Sequence, residues 1–165
     1  PHRNYRGQTV CGTLLIYLIG QHLQLQQLAQ LKDLKIKSLI DLAAYNEDEI
    51  VPAWKHTNYS YQHIPLTAEM GIGINFDEIN RMIDQLNTEG KTPILIIANT
   101  FLGDVEGESL APGFAIAYLM YKAKLDVNVA SLKVFQATSS VEIAKWLYTE
   151  LLLYKPNPPP AAAKP

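Results

Sequence analysis

The sequence predicts an α/β fold: a single domain with a central, mostly parallel sheet flanked by helices. Three observations carry this. Short apolar runs closed by Gly or Pro alternate with segments whose apolar residues recur every third or fourth position, the pattern of strands joined by crossover helices. The most apolar run, Pro93 to Ala98 (PILIIA), shows no polar alternation, as expected of a strand buried on both faces at the sheet centre. The chain has 165 residues, 48% of them hydrophobic, enough for one core without disulfides or metals.

The elements follow in order. Residues 1–12 read as an extended N-terminal segment ahead of a domain spanning 13–154. Thr13 to Gly20 (TLLIYLIG) is a strand ended by glycine. Leu25, Leu28, Leu31 and Leu34 mark one face of a helix whose wet side carries Gln24, Gln26, Gln27 and Gln30. Ser38 to Ala43 is a buried strand, and Glu47 to Lys55 a short helix or loop carrying Trp54. Ser60 to Leu66 (SYQHIPL) alternates and stops near Pro65, as an edge strand does. Asn75 then caps a helix with Asp77 and Glu78 in its first turn, where the dipole favours negative charge. Its stripe is Phe76, Ile79, Met82, Ile83 and Leu86, and Gly90 stops it. Beyond the PILIIA strand and an acidic, Gly-rich loop, Pro112 to Lys122 is a helix with Pro near its start. Asp126 caps the next helix (Val127 to Gln136), and Ser139 or Ser140 caps the last, which ends near Tyr154. Residues 155–165 form a proline-rich tail favouring polyproline II.

Composition narrows function. Fourteen Lys+Arg against sixteen Asp+Glu give a net charge of -2, so no electrostatic grip on nucleic acid or an anionic membrane is expected. The runs Leu14 to Ile19 and Phe114 to Tyr121 are far short of the ~18 residues of a spanning helix, so membrane insertion is not expected. No charged-then-apolar leader opens the sequence, and none is expected. The single cysteine, Cys11, cannot form an internal disulfide; an intracellular, reducing setting is expected, cytoplasmic or within an organelle or cytoskeletal assembly.

From Tyr17 to Tyr154 the order of segments resembles the dual-specificity branch of the cysteine-dependent protein tyrosine phosphatases. YLIG, the leucine helix and LKIKSLIDLA resemble that family's opening strand–helix–strand. YQHIPL resembles the strand before its general-acid loop, NFDEINRMIDQL the next helix, and PILII the strand feeding the catalytic loop. PGFAIAYLMYKAKLDVNVASLKVFQA resembles the helix pair after that loop. The resemblance implies the phosphatase-like architecture. It also implies a thiolate nucleophile followed six positions later by arginine, with loop N–H groups and a helix N-terminus holding the phosphate.

Those two residues are missing. Six positions after Cys11 stands Tyr17, and no arginine follows Arg81; Arg3 and Arg6 are the only others. Aligned on the helix, Gly107, Ser109 and Pro112 match loop positions, but Asp104 takes the cysteine position and Leu110 the arginine position. Aligned on the strand, Ala98 or Asn99 takes the cysteine position and the loop is several residues longer. The degenerate loop also carries Asp104, Glu106 and Glu108. One like charge ~5 Å from a phosphate costs on the order of 3 kcal/mol at an effective dielectric of ~20, so phosphate binding there is not expected. Glu69, the carboxylate of TAEMG at the general-acid position, has no leaving group to protonate without a nucleophile.

Other constellations give no chemistry. Gly107 to Ala111 (GESLA) has the outline of a nucleophile elbow, but His2, His22, His56 and His63 all precede Ser109. His56 and His63 with Asp77 or Glu69 match no compact metal site, and the acidic loop lacks the spacing of a calcium loop. No cofactor or metal site is expected. The last helix is more informative: Val141, Ile143, Ala144, Trp146, Leu147, Tyr148, Leu151, Leu152 and Leu153 cover more than half its circumference. Either it is wedged deeply in its own domain, or Trp146 and Leu153, flanking the polar face of Glu142, Lys145 and Thr149, meet another protein. The tail, with Pro158, Pro159 and Pro160, loses little entropy when immobilised and suits a docking strand.

The expected function is a non-catalytic pseudophosphatase domain, a structural or protein-binding subunit of a larger assembly contacted through both termini and the last helix. The alternatives are a module competing for phosphorylated protein partners, disfavoured by the absent arginine, and an enzyme with carboxylate-based chemistry, disfavoured by the lack of a paired base and nucleophile.

Overall fold

In a computed structural model of the protein, the residues described are 6–10, 14–19, 33, 35–42, 60–64, 76–97, 108–109, 111–137, 142–143 and 145–157. Strands β1 (Arg6–Val10), β2 (Leu14–Ile19), β3 (Ser38–Asp41), β4 (Ser60–His63) and β5 (Ile94–Ile97) form one sheet in the order β1-β2-β5-β3-β4. The β1–β2 pairing is antiparallel and the other three are parallel. The PILIIA strand therefore lies at the centre and SYQH at an edge of the sheet, as the sequence predicts. Arg6–Val10, read from the sequence as an extended segment ahead of the domain, joins the sheet beside β2. The leucine helix expected over 25–34 lies outside the described residues except for Asp33, and the segment 47–55 lies outside them altogether.

Side-chain alternation explains the sheet's apolar runs. Ile40, Ile94 and Ile96 share one face with the helical core, while Leu39 and Leu95 point the other way and are as fully buried. Helix α1 (Phe76–Thr88) lays Phe76, Ile79, Ile83 and Leu86 on the first face. Its end is a Schellman motif: Lys91 N donates to Leu86 O (2.8 Å) and Gly90 N to Asn87 O (3.1 Å), with Gly90 at φ +70°. Asn75, the expected cap, lies outside the described residues.

Helix α2 (Ala111–Lys122) is buried at every position from Pro112 to Tyr121. Beside α1 it packs Phe114 against Phe76, ring centroids 5.6 Å apart. Helix α3 (Val127–Ala137) follows, its Val129 N–H held by Asp126 Oδ1 at 2.9 Å as the capping prediction requires. The end of the chain departs from expectation. Glu142–Ile143 forms strand β7, parallel to strand β6 (Glu108–Ser109), and helix α4 starts only at Lys145 and runs to Leu153. Ser139 and Ser140 read as caps because they precede an apolar run; the ladder to residues far upstream satisfies the backbone at Glu142 and Ile143 instead.

Helix α4 crosses α2 at Gly113, where an added Cβ would meet Leu147, with its Cγ only 3.0 Å away. Leu147 is fully buried, so any shift of its side chain presses on other core residues. Gly113→Ala should therefore lower stability by about 1–3 kcal/mol through overpacking. At Gly90 nothing lies within 4 Å of an added Cβ, and only the left-handed backbone resists it. Gly90→Ala should lose about 1 kcal/mol, with an unchanged denaturant m-value. Urea titrations of both variants check the pair; a neutral Gly113→Ala would mean that the two helices are less closely apposed than described.

Candidate functional site

In a parallel sheet, ligands collect at the carboxyl ends of the strands. Here those ends carry Ile19, Asp41, His63 and Ile97, with Asp41 in register with His63 on one side and Ile97 on the other. Asp41 is completely buried and accepts a hydrogen bond from Tyr61 OH (3.0 Å), and the Tyr61 and His63 rings lie 6.5 Å apart. This polar group was missed in the sequence, where Asp41 is one letter in an apolar strand and His63 an ordinary strand histidine. The sheet register alone brings them together.

The segment from Ile97 to α2 is the degenerate phosphatase loop of the sequence reading. Of its candidate residues, Asn99, Asp104, Gly107 and Leu110 lie outside the described residues, and Ser109 lies in β6, paired with Ile143. The β6–β7 ladder occupies backbone groups immediately before α2. It also sets two acidic positions, Glu108 and Glu142, on neighbouring strands about 4.8 Å apart at the backbone. No local pattern announces a two-residue ladder between positions so far apart in sequence.

Arg81 lines a cavity of about 410 Å³ between α1 and β4, walled by Ser60, Gln62, Glu78, Met82 and Lys91 among others. The wall carries both signs of charge, and Lys91 is paired with Glu89 at 3.0 Å. Among the described residues no group of three or more His, Cys, Asp or Glu side chains is placed to hold a metal ion.

A second polar cluster lies where α1, α2 and the end of α4 meet. Tyr154 OH donates to Asp77 Oδ1 and accepts from Asn80 Nδ2 (2.9 Å). Asn157 adds bonds from its backbone N (3.3 Å) and Nδ2 (2.8 Å) to the Asp77 carboxylate. Farther along α1, Asp84 accepts from Tyr118 OH (2.7 Å) and pairs with Lys122 (3.2 Å). Tyr121 OH lies in this region without an acceptor in hydrogen-bond geometry. Burial, reinforced by the Asp84 carboxylate, pushes its phenol up to about 12. Burial and Asp77 push Tyr154 upward as well.

The candidate contact residues fall into three situations. Trp146 is half-buried, packs against the core, and has its Nε1 buried without a hydrogen-bond partner. Leu153 is 71% exposed. Pro158, Pro159 and Pro160 lie outside the described residues, but the chain just before them, at Asn157, is fastened to α1. Leu147 and Leu151 are buried, so much of the wide apolar surface of α4 is wedged in its own domain, the first of the two readings of that helix.

No protein-family model matches the sequence, and no curated protein matches it. Solved structures do match. The Cydia pomonella PTP-2 phosphatase aligns with a TM-score of 0.71 at 15% identity, over 90% of this chain and 89% of its own. Tk-PTP in its active form gives 0.65 at 17% identity over 90% and 97% of the two chains. Human DUSP28 gives 0.58 at 14% over 81% and 87%. The fold is dual-specificity phosphatase-like. At these identities the likeness establishes architecture alone.

The tyrosine cluster has a measurable consequence. Below pH 10 the phenols are protonated in both folded and unfolded chains, so they add no pH dependence there. Above the ordinary value of 10.0 the unfolded chain ionises while folded Tyr121 holds its proton to about 12. Stability should thus be retained up to pH 10 and then fall by about 1.4 kcal/mol per pH unit for each retained phenol. Absorbance at the phenolate band should show late titration for Tyr121 and Tyr154 among the nine tyrosines, and simultaneous titration of all nine would contradict the cluster.

Proposed function

We propose that the protein is a non-catalytic, pseudophosphatase-type domain serving as a protein-binding or structural subunit of an intracellular assembly. The observation that carries this is the absence of the cysteine–arginine pair on a phosphatase-like scaffold: Cys11 is the sole cysteine, Tyr17 stands six positions later, and no arginine follows Arg81. The sheet's polarity supports the same reading. Val10, the neighbour of Cys11, pairs with Leu14 at the amino end of β2, whereas Ile19 pairs with Ile97 at the carboxyl end. Five strand steps, roughly 17 Å, separate those ends.

A reading as a competitor for phosphorylated partners has less support. The acidic segment ahead of α2 holds Asp104, Glu106 and Glu108, Glu142 is set beside it by the ladder, and Arg81 lines a different cavity.

The test is an assay of the full chain on p-nitrophenyl phosphate and tyrosine phosphopeptides, with Cys11→Ser as control. The expected result is no turnover above that of the control. Calorimetric titration with tungstate should likewise show no saturable binding with a Kd below about 1 mM. The double change Asp104→Cys with Leu110→Arg should not restore turnover, because the carboxylates around the loop remain. Turnover that survives purification and vanishes with a single site mutation would sink the proposal.

A further inference from the structure

Helix α3 divides its apolar residues between two faces. Toward the core it turns Val127, Ala130, Ser131 and Val134, and the Ser131 hydroxyl is buried without a hydrogen-bond partner. Toward solvent it turns Val129, Leu132 and Phe135, which are 41%, 57% and 36% exposed. At 100° per residue these three span an arc of about 120° opposite the buried one, an arc that also carries exposed Asn128 at one end of the helix and Gln136 at the other. A helix that needed only to cover its own domain would place the larger side chains inward. This sequence is arranged for burial on two sides.

The geometry points to this face as the docking surface for a helix of another protein, one with an apolar stripe and carboxylates along its rim. The charge around the stripe selects that occupant. Lys133 on α3 and Lys124 just ahead of it in sequence are exposed, α3 contains no Asp or Glu, and the carboxylate nearest in sequence, Asp126, is engaged in capping Val129 N. A second copy docking through the same face would bring Lys133 against Lys133. Apolar contact supplies affinity at such a surface, and the cationic rim supplies partner choice. The assignment rests on the protein-binding reading above and moves its contact surface from Trp146 and the start of the tail, both engaged within the domain, to α3.

Two synthetic helical peptides test it. Both carry leucine at i, i+3, i+4 and i+7; one is rimmed with glutamate and the other with lysine. Fluorescence anisotropy with the full chain should show the glutamate-rimmed peptide binding about fivefold or more tightly than the lysine-rimmed one, with the difference shrinking at high salt. Leu132→Asp and the milder Leu132→Ser should each weaken binding about tenfold or more with little change in thermal unfolding, while Leu153→Asp leaves it intact. Equal affinity for both peptides, no binding, or binding untouched by either Leu132 variant would overturn the assignment. A dimer in sedimentation that dissolves with Leu132→Ser would overturn it too, by giving the face to a second copy. Loss of the docking face with turnover still absent leaves the non-catalytic reading standing; turnover overturns that reading whatever the peptides do.

Discussion

Helix α2 has no wet face, and the placement of its neighbours follows from that. With Pro112 to Tyr121 all buried, it must rest on a sheet and be enclosed by helices on its remaining sides. The sheet contributes Ile40, Ile94 and Ile96; α1 contributes Phe76, Ile79 and Ile83; α3 contributes Ala130 and Val134; α4 contributes Leu147 and Leu151. Gly113, Ala115 and Ala117 keep α2 slender, and at Gly113 the closeness of Leu147 shows how little space the α4 crossing leaves. Dense packing of this kind turns one methyl group into a stability effect.

Burying a helix completely also buries polar groups at its flanks, and α1 carries acceptors at two levels to meet them. Asp77 takes Tyr154 and Asn157, and Asp84 takes Tyr118 and Lys122. Both carboxylates lie on the side of α1 that faces its helical neighbours rather than the sheet. This makes the first residues after α4 part of the domain: Tyr154 stacks near Phe76 at 4.9 Å while its hydroxyl reaches Asp77. Asn80 Oδ1 and Tyr121 OH remain without protein partners in this region.

The elements legible in the sequence were those whose signal is local. The period of Phe76, Ile79, Ile83 and Leu86, the glycine at position 90, the Asp126 cap and the unbroken PILIIA run each state their structure within a few residues, and the structure bears them out. What was not legible depends on pairing across the chain. The β6–β7 ladder joins Glu108 to Glu142, so the hydroxyls of Ser139 and Ser140 suggested a cap for a helix that begins at Lys145. Asp41, Tyr61 and His63 meet only through the β3–β4 register. Composition likewise gives no hint that Trp146 packs against the core or that Asn157 bonds Asp77.

The same distinction separates scaffold from chemistry. The described core is drawn from β3, β5 and the four helices. A phosphatase-like fold does not by itself fix the reaction it carries. Helix α2 follows β5 in sequence, beyond the carboxyl end of that strand at Ile97. Val10 and Leu14 lie at the opposite end, the end to which the carbonyl terminus of α1 leads through Gly90 into β5. In a parallel sheet the direction of the strands fixes which end lies where, and the register sets Val10 and Leu14 about five strand steps from Ile19 and Ile97.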